Sequence, residues 1–146
     1  MQPIAAAPEL RCAMLEVEVF AADLAPEAPS PATVQRLCAL AAAAVGVKDG
    51  HLAIEYVDDQ RIAQLNAEHR GKTGPTDVLS FPIDGATEHD GSPRELGDVV
   101  ICPEHTVDLR EAIVHGVLHL VGLDHETDNG EMLALQAELL ADRRSR

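Results

Sequence analysis

A single apolar run holds three histidines in the order His115-Gly116-Val117-Leu118-His119-Leu120-Val121-Gly122-Leu123-Asp124-His125. A helix is predicted over Pro103 to Val121. Its second half is apolar nearly all round, so it belongs at the centre of the fold with other elements packed about it. His115 and His119, four apart, project from one face of that helix. Gly122 can take the left-handed conformation that ends a helix, and the turned chain can bring His125 back toward the same point. Neutral imidazole is a common zinc ligand, and three imidazoles leave a fourth position open. A lone histidine on an apolar helix is usually a packed or surface residue. The third one, placed beyond a helix-ending glycine, makes His115, His119 and His125 a candidate site for one zinc ion.

The rest of the chain reads as an α+β fold. Met14 to Val19 alternates like a half-buried strand, and Ala25 to Pro29 is a connector. Ser30-Pro31 starts a helix that runs to Gly46. His51 to Val57 is a second strand. Asp58 or Asp59 caps a helix through Ile62, Leu65 and Asn66. Gly71 and Gly74-Pro75 mark a loop. Strands are predicted over Asp77 to Ile83 and Gly97 to Cys102, joined by a polar loop from Asp84 to Glu95. Asp128 to Arg144 is a final amphipathic helix with Met132, Leu135, Leu139 and Leu140 turned inward. The expectation is one domain over residues 1–146, with residues 1–10 frayed. In it a small mixed sheet is packed by helices around the buried helix that carries the histidines.

A chain of 146 residues can bury a real core. Aromatics are only 2 % of it, so Leu, Val, Ile and Ala must build that core. Cys12, Cys38 and Cys102 are odd in number and widely spaced, which reads as reduced thiols. No apolar run is long enough for a bilayer, and a cytoplasmic location is expected. The net charge of -14 argues against a general affinity for nucleic acid, though not against a local basic cleft. Arg143, Arg144 and Arg146 form a basic end suited to a helix C-terminus.

The histidine spacing is shared with the metzincin proteases, H-E-x-x-H-x-x-G-x-x-H. Gly116 stands where their catalytic Glu stands, and glycine cannot take a proton from water. A second set of blocks points elsewhere. Leu65-Asn66-Ala67-Glu68-His69-Arg70-Gly71-Lys72 leads into Thr73-Gly74-Pro75-Thr76-Asp77-Val78-Leu79-Ser80-Phe81-Pro82, and Leu96-Gly97-Asp98-Val99-Val100-Ile101-Cys102-Pro103 follows. In this order, and with the histidine block, they resemble the YbeY family of bacterial endoribonucleases from about Ile54 onward. The resemblance implies a zinc-dependent, single-strand-specific endoribonuclease. It implies a role at the 3′ end of small-subunit rRNA and in ribosome quality control, with rRNA and the small subunit or an assembly factor as partners. It places the metal on His115, His119 and His125 and a functional arginine at Arg70. Leu123, where relatives often carry Tyr, is a departure that alters packing. The segment between Pro103 and His115 is shorter than in many relatives.

The residues support the same chemistry on their own. Zinc can lower the pKa of water to about 7 or polarise a phosphoryl oxygen. Phosphodiester cleavage also needs positive charge near the non-bridging oxygens. Arg70, on a Gly-flanked loop, offers a planar, always-charged fork as catalytic and substrate-binding group. Lys72 is a second phosphate-binding candidate. Thr76 and Ser80 are read as structural, and Asp124 and Glu126 as solvated acids beside a turn. His51, His69, His89 and His105 are read as surface residues without convergent partners. Two other readings stay open: a metalloprotease-like zinc hydrolase, and a ribosome-assembly factor with a structural metal.

Overall fold

The computed structural model describes residues 15–87 and 93–142. The start that was expected to be frayed, Met14, Cys12, His89 and the arginines at 143, 144 and 146 lie outside them.

Four strands form a single mixed sheet. Strand β1 is Leu15–Phe20, β2 is Gly50–Tyr56, β3 is Val78–Pro82 and β4 is Glu95–Ile101. Their order is β1-β2-β4-β3, with β1, β2 and β4 parallel and β3 antiparallel to β4 at the edge. Among the described residues four α-helices accompany them: α1 (Pro31–Ala43), α2 (Asp59–Arg70), α3 (Leu109–Leu120) and α4 (Glu131–Ala141). The α+β architecture is the one expected, with a mixed sheet and a buried helix bearing the histidines.

Local chemistry sets the helix ends. The Ser30 hydroxyl accepts from the Thr33 amide and Pro31 fills the first turn. Asp58 caps α2 through the Arg61 amide, and Gly71, at φ 65°, closes it in the left-handed conformation. The helix expected to run unbroken from Pro103 is split. A 3-10 turn spans Pro103–His105, and α3 begins only after Asp108, whose carboxylate accepts from the amides of Arg110 and Glu111. A capping carboxylate satisfies otherwise orphaned donors, and here it outweighs continuity. The last helix is also shorter than expected. Asp128 takes the amides of Gly130 and Met132, and the helix proper starts at Glu131.

The sheet is covered differently on its two faces. Leu52, Ile54, Tyr56, Val99 and Ile101 face α1 and α3, with Leu37, Cys38, Ile113, Val117, Leu118 and Met132 opposite them. Nearly all these side chains are aliphatic, as composition required. Tyr56 is the one aromatic among them, 1 % exposed. The other face carries Val100 and Leu79 against Ile62 and Leu65 of α2. Cys38 and Cys102 are free and buried, and burial pushes the Cys38 thiol up to about 12. Burial raises the Cys102 thiol as well. Both thiols are therefore weak nucleophiles.

His51 is not the unpartnered surface histidine expected. Strand register sets it opposite Glu95, and its two ring nitrogens lie 2.5 Å from Glu95 and 2.5 Å from Glu18. Burial lowers its pKa, but hydrogen bonds to Glu95 and Glu18 and the charges of both carboxylates outweigh that, and the net direction is up. A raised folded-state pKa stabilises the fold fully below the unfolded value and is lost as pH rises through the folded value. The His51→Gln protein should therefore melt below wild type at pH 5.5, with the gap closing by pH 9. The effect should be about 1 kcal/mol or less, because both carboxylates remain solvated. Thermal melts across that range measure it, and a gap that widens with pH would refute it.

Candidate metal centre

Helix α3 lies against the sheet and delivers two imidazoles one turn apart. His115 and His119 occupy its last two turns, half buried, while Ile113, Val114, Val117 and Leu118 fill the core around them. After Leu120 the helix stops. Gly122 has φ 104°, its amide reaches the His119 carbonyl, and the Leu123 amide reaches back to Leu118. These backward bonds satisfy the last carbonyls and reverse the chain. The next turn is held by Asp124, whose side chain accepts from the Glu126 amide at 2.9 Å and whose carbonyl accepts from Asp128. This brings His125 over the other two. Asp124 thus works as a turn residue, and Glu126 is exposed.

The three rings converge as the spacing predicts. Their ligand atoms all lie within 4.8 Å of one another. The ring centroids are 4.8, 5.1 and 5.3 Å apart. A tetrahedral ion with nitrogen ligands at about 2.0–2.1 Å needs those nitrogens ~3.3 Å apart, a contraction that half-buried rings can make. Burial lowers the pKa of His119, the proximity of His115 and His125 lowers it further, and a hydrogen bond to the Leu123 backbone pulls the other way. The net direction is down, which keeps the imidazole neutral and its lone pair available. The donor set therefore fits a divalent ion of zinc type, and among the described residues no fourth donor joins the cluster.

Two supporting contacts were not foreseen from the sequence. Oε1 of Gln136, a buried residue of α4, lies 2.8 Å from Nδ1 of His115. Its signal in the sequence was positional: Gln136 falls four residues after Met132, on the stripe assigned to the core. The second contact concerns Gly116. A Cβ there would lie 2.4 Å from Cγ1 of Val99, a fully buried residue of β4. Position 116 therefore faces the sheet, and α3 can settle onto β4 only because it is glycine. The Ser80 hydroxyl, read as structural, donates to the Gly116 carbonyl at 2.8 Å and ties β3 to the ligand helix.

Arg70 and Lys72 come from the end of α2 and the turn after it. Arg70 is the last residue of α2 rather than part of a loop, because Gly71 ends the helix one residue later. It is exposed, and no side-chain hydrogen bond or ion pair holds it among the described residues. Lys72 follows in the turn, exposed, with its amide on the Asn66 carbonyl. Asn66 is buried and donates to the Gly74 carbonyl at 2.8 Å, which pins that turn to α2. The α2 end packs on the far face of β3, where the His69 ring meets Phe81 edge-on at 4.8 Å. Neighbouring Ser80 points the other way, toward α3, so α2 and α3 pack on opposite faces of the sheet. His69 and His105 are not partnerless either, since His105 pairs with Asp59.

A cleft of about 540 Å³ adjoins the histidine cluster, lined by Pro82 to Thr87 and by His119 to Gly122. Arg94, nearly buried, shapes its wall by donating to the Ala86 carbonyl at 2.7 Å while pairing with Asp49 at 2.9 Å. A larger hollow of about 800 Å³ lies at the other end of α3, between the Ala25–Pro29 connector and Asp108. It gathers no set of metal donors and is remote from the histidines.

Comparison with known proteins by sequence gives one family. The family model described as Endoribonuclease YbeY matches residues 23–144. A protein named Endoribonuclease YbeY from Nitrobacter hamburgensis is 41 % identical over a 145-residue alignment spanning 86 % of this chain and 76 % of the relative. A protein of the same name from Nocardioides sp. is 38 % identical over 142 residues, spanning 82 % of this chain and 95 % of the relative. A solution structure from Thermotoga maritima aligns with 85 % of this chain and 86 % of its own at 23 % identity and a TM-score of 0.46.

Proposed function

The chain belongs to the YbeY endoribonuclease family, and from that premise we propose that it cleaves single-stranded RNA with one zinc ion on His115, His119 and His125. The observation that carries this reading is the convergence of three imidazoles beside a cleft, with ligand atoms within 4.8 Å of one another. When bound, the ion supplies Lewis acidity toward a phosphoryl oxygen and a more acidic water. The protein's own part is to hold the donors neutral and to place positive charge near the phosphate.

Arg70 is the residue assigned to that charge. A guanidinium cannot deprotonate and presents paired donors that match two phosphate oxygens. At the end of α2 it is exposed and makes no side-chain hydrogen bond among the described residues, which leaves it available to an RNA strand that also reaches the histidines. Lys72, two residues on, suits a more distant phosphate. The cellular role proposed is maturation of the small-subunit rRNA 3′ end and ribosome quality control in the cytoplasm, as one domain. No helix among the described residues is long and apolar enough to cross a membrane. The acidic charge of -14 makes a protein partner on the small subunit the natural guide to the RNA.

The test uses purified protein with labelled single-stranded and duplex RNA. Cleavage of the single strand should vanish on chelation and return with added zinc. Arg70→Ala should lower the rate about 10²–10³-fold, the range for removing one stabilising donor, and Lys72→Ala should act mainly on KM. Full cleavage in the presence of chelator would overturn the metal assignment. Chelator-sensitive cleavage of peptides, with none of RNA, would favour the protease reading.

A further inference from the structure

Gln136 makes the one side-chain hydrogen bond to a ligand histidine among the described residues, and it comes from a different helix. It is 8 % exposed and shares the core-facing stripe of α4 with Met132. A carboxamide oxygen only accepts, so its approach to Nδ1 at 2.8 Å requires the proton of neutral His115 to sit on Nδ1. Nε2 then keeps its lone pair and is the atom left to ligate. The opposite amide orientation would set an NH₂ group against Nδ1, move the ring proton to Nε2 and remove the donor atom. The metal reading and the hydrogen bond thus demand the same tautomer. His119 differs, because its hydrogen bond to the Leu123 backbone is part of its own helix-ending turn.

We propose that Gln136 is a positioning residue that fixes the tautomer and ring plane of His115 and so sets the affinity of the centre for its ion. The inference rests on reading the three histidines as a metal site. It makes α4 a functional part of that site rather than a cover for the core. A group that hydrogen-bonds a ligand imidazole typically changes metal affinity by 10–100-fold.

The experiment is a zinc titration by chelator competition on wild type, Gln136→Met and Gln136→Glu, with cobalt absorption spectra as a second readout. Gln136→Met keeps length and burial but accepts only weakly, and should bind zinc about 10–100-fold more weakly. Gln136→Glu restores an acceptor and should bind at or above wild-type affinity. Equal affinity in wild type and Gln136→Met would overturn the proposal while leaving the metal site intact. A wild type that binds no zinc would overturn the metal reading and this inference together. A direct measurement needs no variant: nitrogen-15 NMR of the metal-free protein should show neutral His115 protonated at Nδ1. Protonation at Nε2 would overturn the proposal.

Discussion

His119→Ala should abolish zinc binding and bring RNA cleavage to background while leaving the metal-free fold intact. His119 sits in the last turn of α3, between the other two ligands, with its donor atom within 4.8 Å of theirs. Its lowered pKa, caused first by burial and then by His115 and His125, keeps it a neutral donor near pH 7. Two imidazoles on a turned chain cannot match the affinity of three. The loss should exceed the 100-fold upper end for a residue that only orients a ligand. Stability gives an independent readout. An ion at a hundred times its dissociation constant adds about 2.7 kcal/mol to the folded state, which is roughly 8–11 °C in Tm for a chain of this size. Wild type should show that rise on adding zinc, and His119→Ala should show none. A folded His119→Ala protein that still cleaves RNA at the wild-type rate would remove the histidines from the mechanism.

What the chain disclosed in advance follows from the range of the forces involved. The histidine cluster was legible because it depends on helix pitch and a glycine turn, both encoded within eleven residues. Ser30 and Asp58 were legible as helix starts because a cap bonds to the next few amides. The interruption before α3 carried a local signal too: Asp108 and Glu111 stand at capping-box spacing. Apolar periodicity across the whole segment obscured it. Contacts set by strand register or helix docking were not legible. His51 has two carboxylate partners only because β1 and β4 flank β2 in that register. Gln136 reads as a polar blemish on a core stripe until α4 is laid beside α3. Arg70 was assigned to a loop, and the left-handed Gly71 places it instead at the end of a helix that packs on the opposite face of the sheet from α3.

Gly116 is the position where a plausible reading of sequence and the packing of the molecule part most sharply. Judged by spacing alone, Gly116→Glu would restore the protease motif and should create a general base beside the ion. The geometry forbids it. A bare Cβ at 116 already lies 2.4 Å from Cγ1 and 3.1 Å from Cγ2 of Val99, a stiff, β-branched side chain with no exposure. Gly116→Ala should therefore destabilise the fold. Overpacking costs about 1–3 kcal/mol, only partly offset by the ~1 kcal/mol that alanine gains over glycine in a helix. Gly116→Glu adds an unpaired buried carboxylate, and should fail to fold or lose on the order of 3–5 kcal/mol. The cause can be isolated with Val99→Ala, which removes the two nearest of the three atoms that the new Cβ meets and leaves only the Val99 Cβ at 3.3 Å. Gly116→Ala combined with Val99→Ala should be more stable than the sum of the two single losses, a coupling typical of residues in contact. Denaturant melts of the four proteins measure it. Additive losses, or a Gly116→Glu protein as stable as wild type that cleaves peptides, would show that this face of α3 is open to the site and that close helix–sheet contact is not why glycine stands between the ligands.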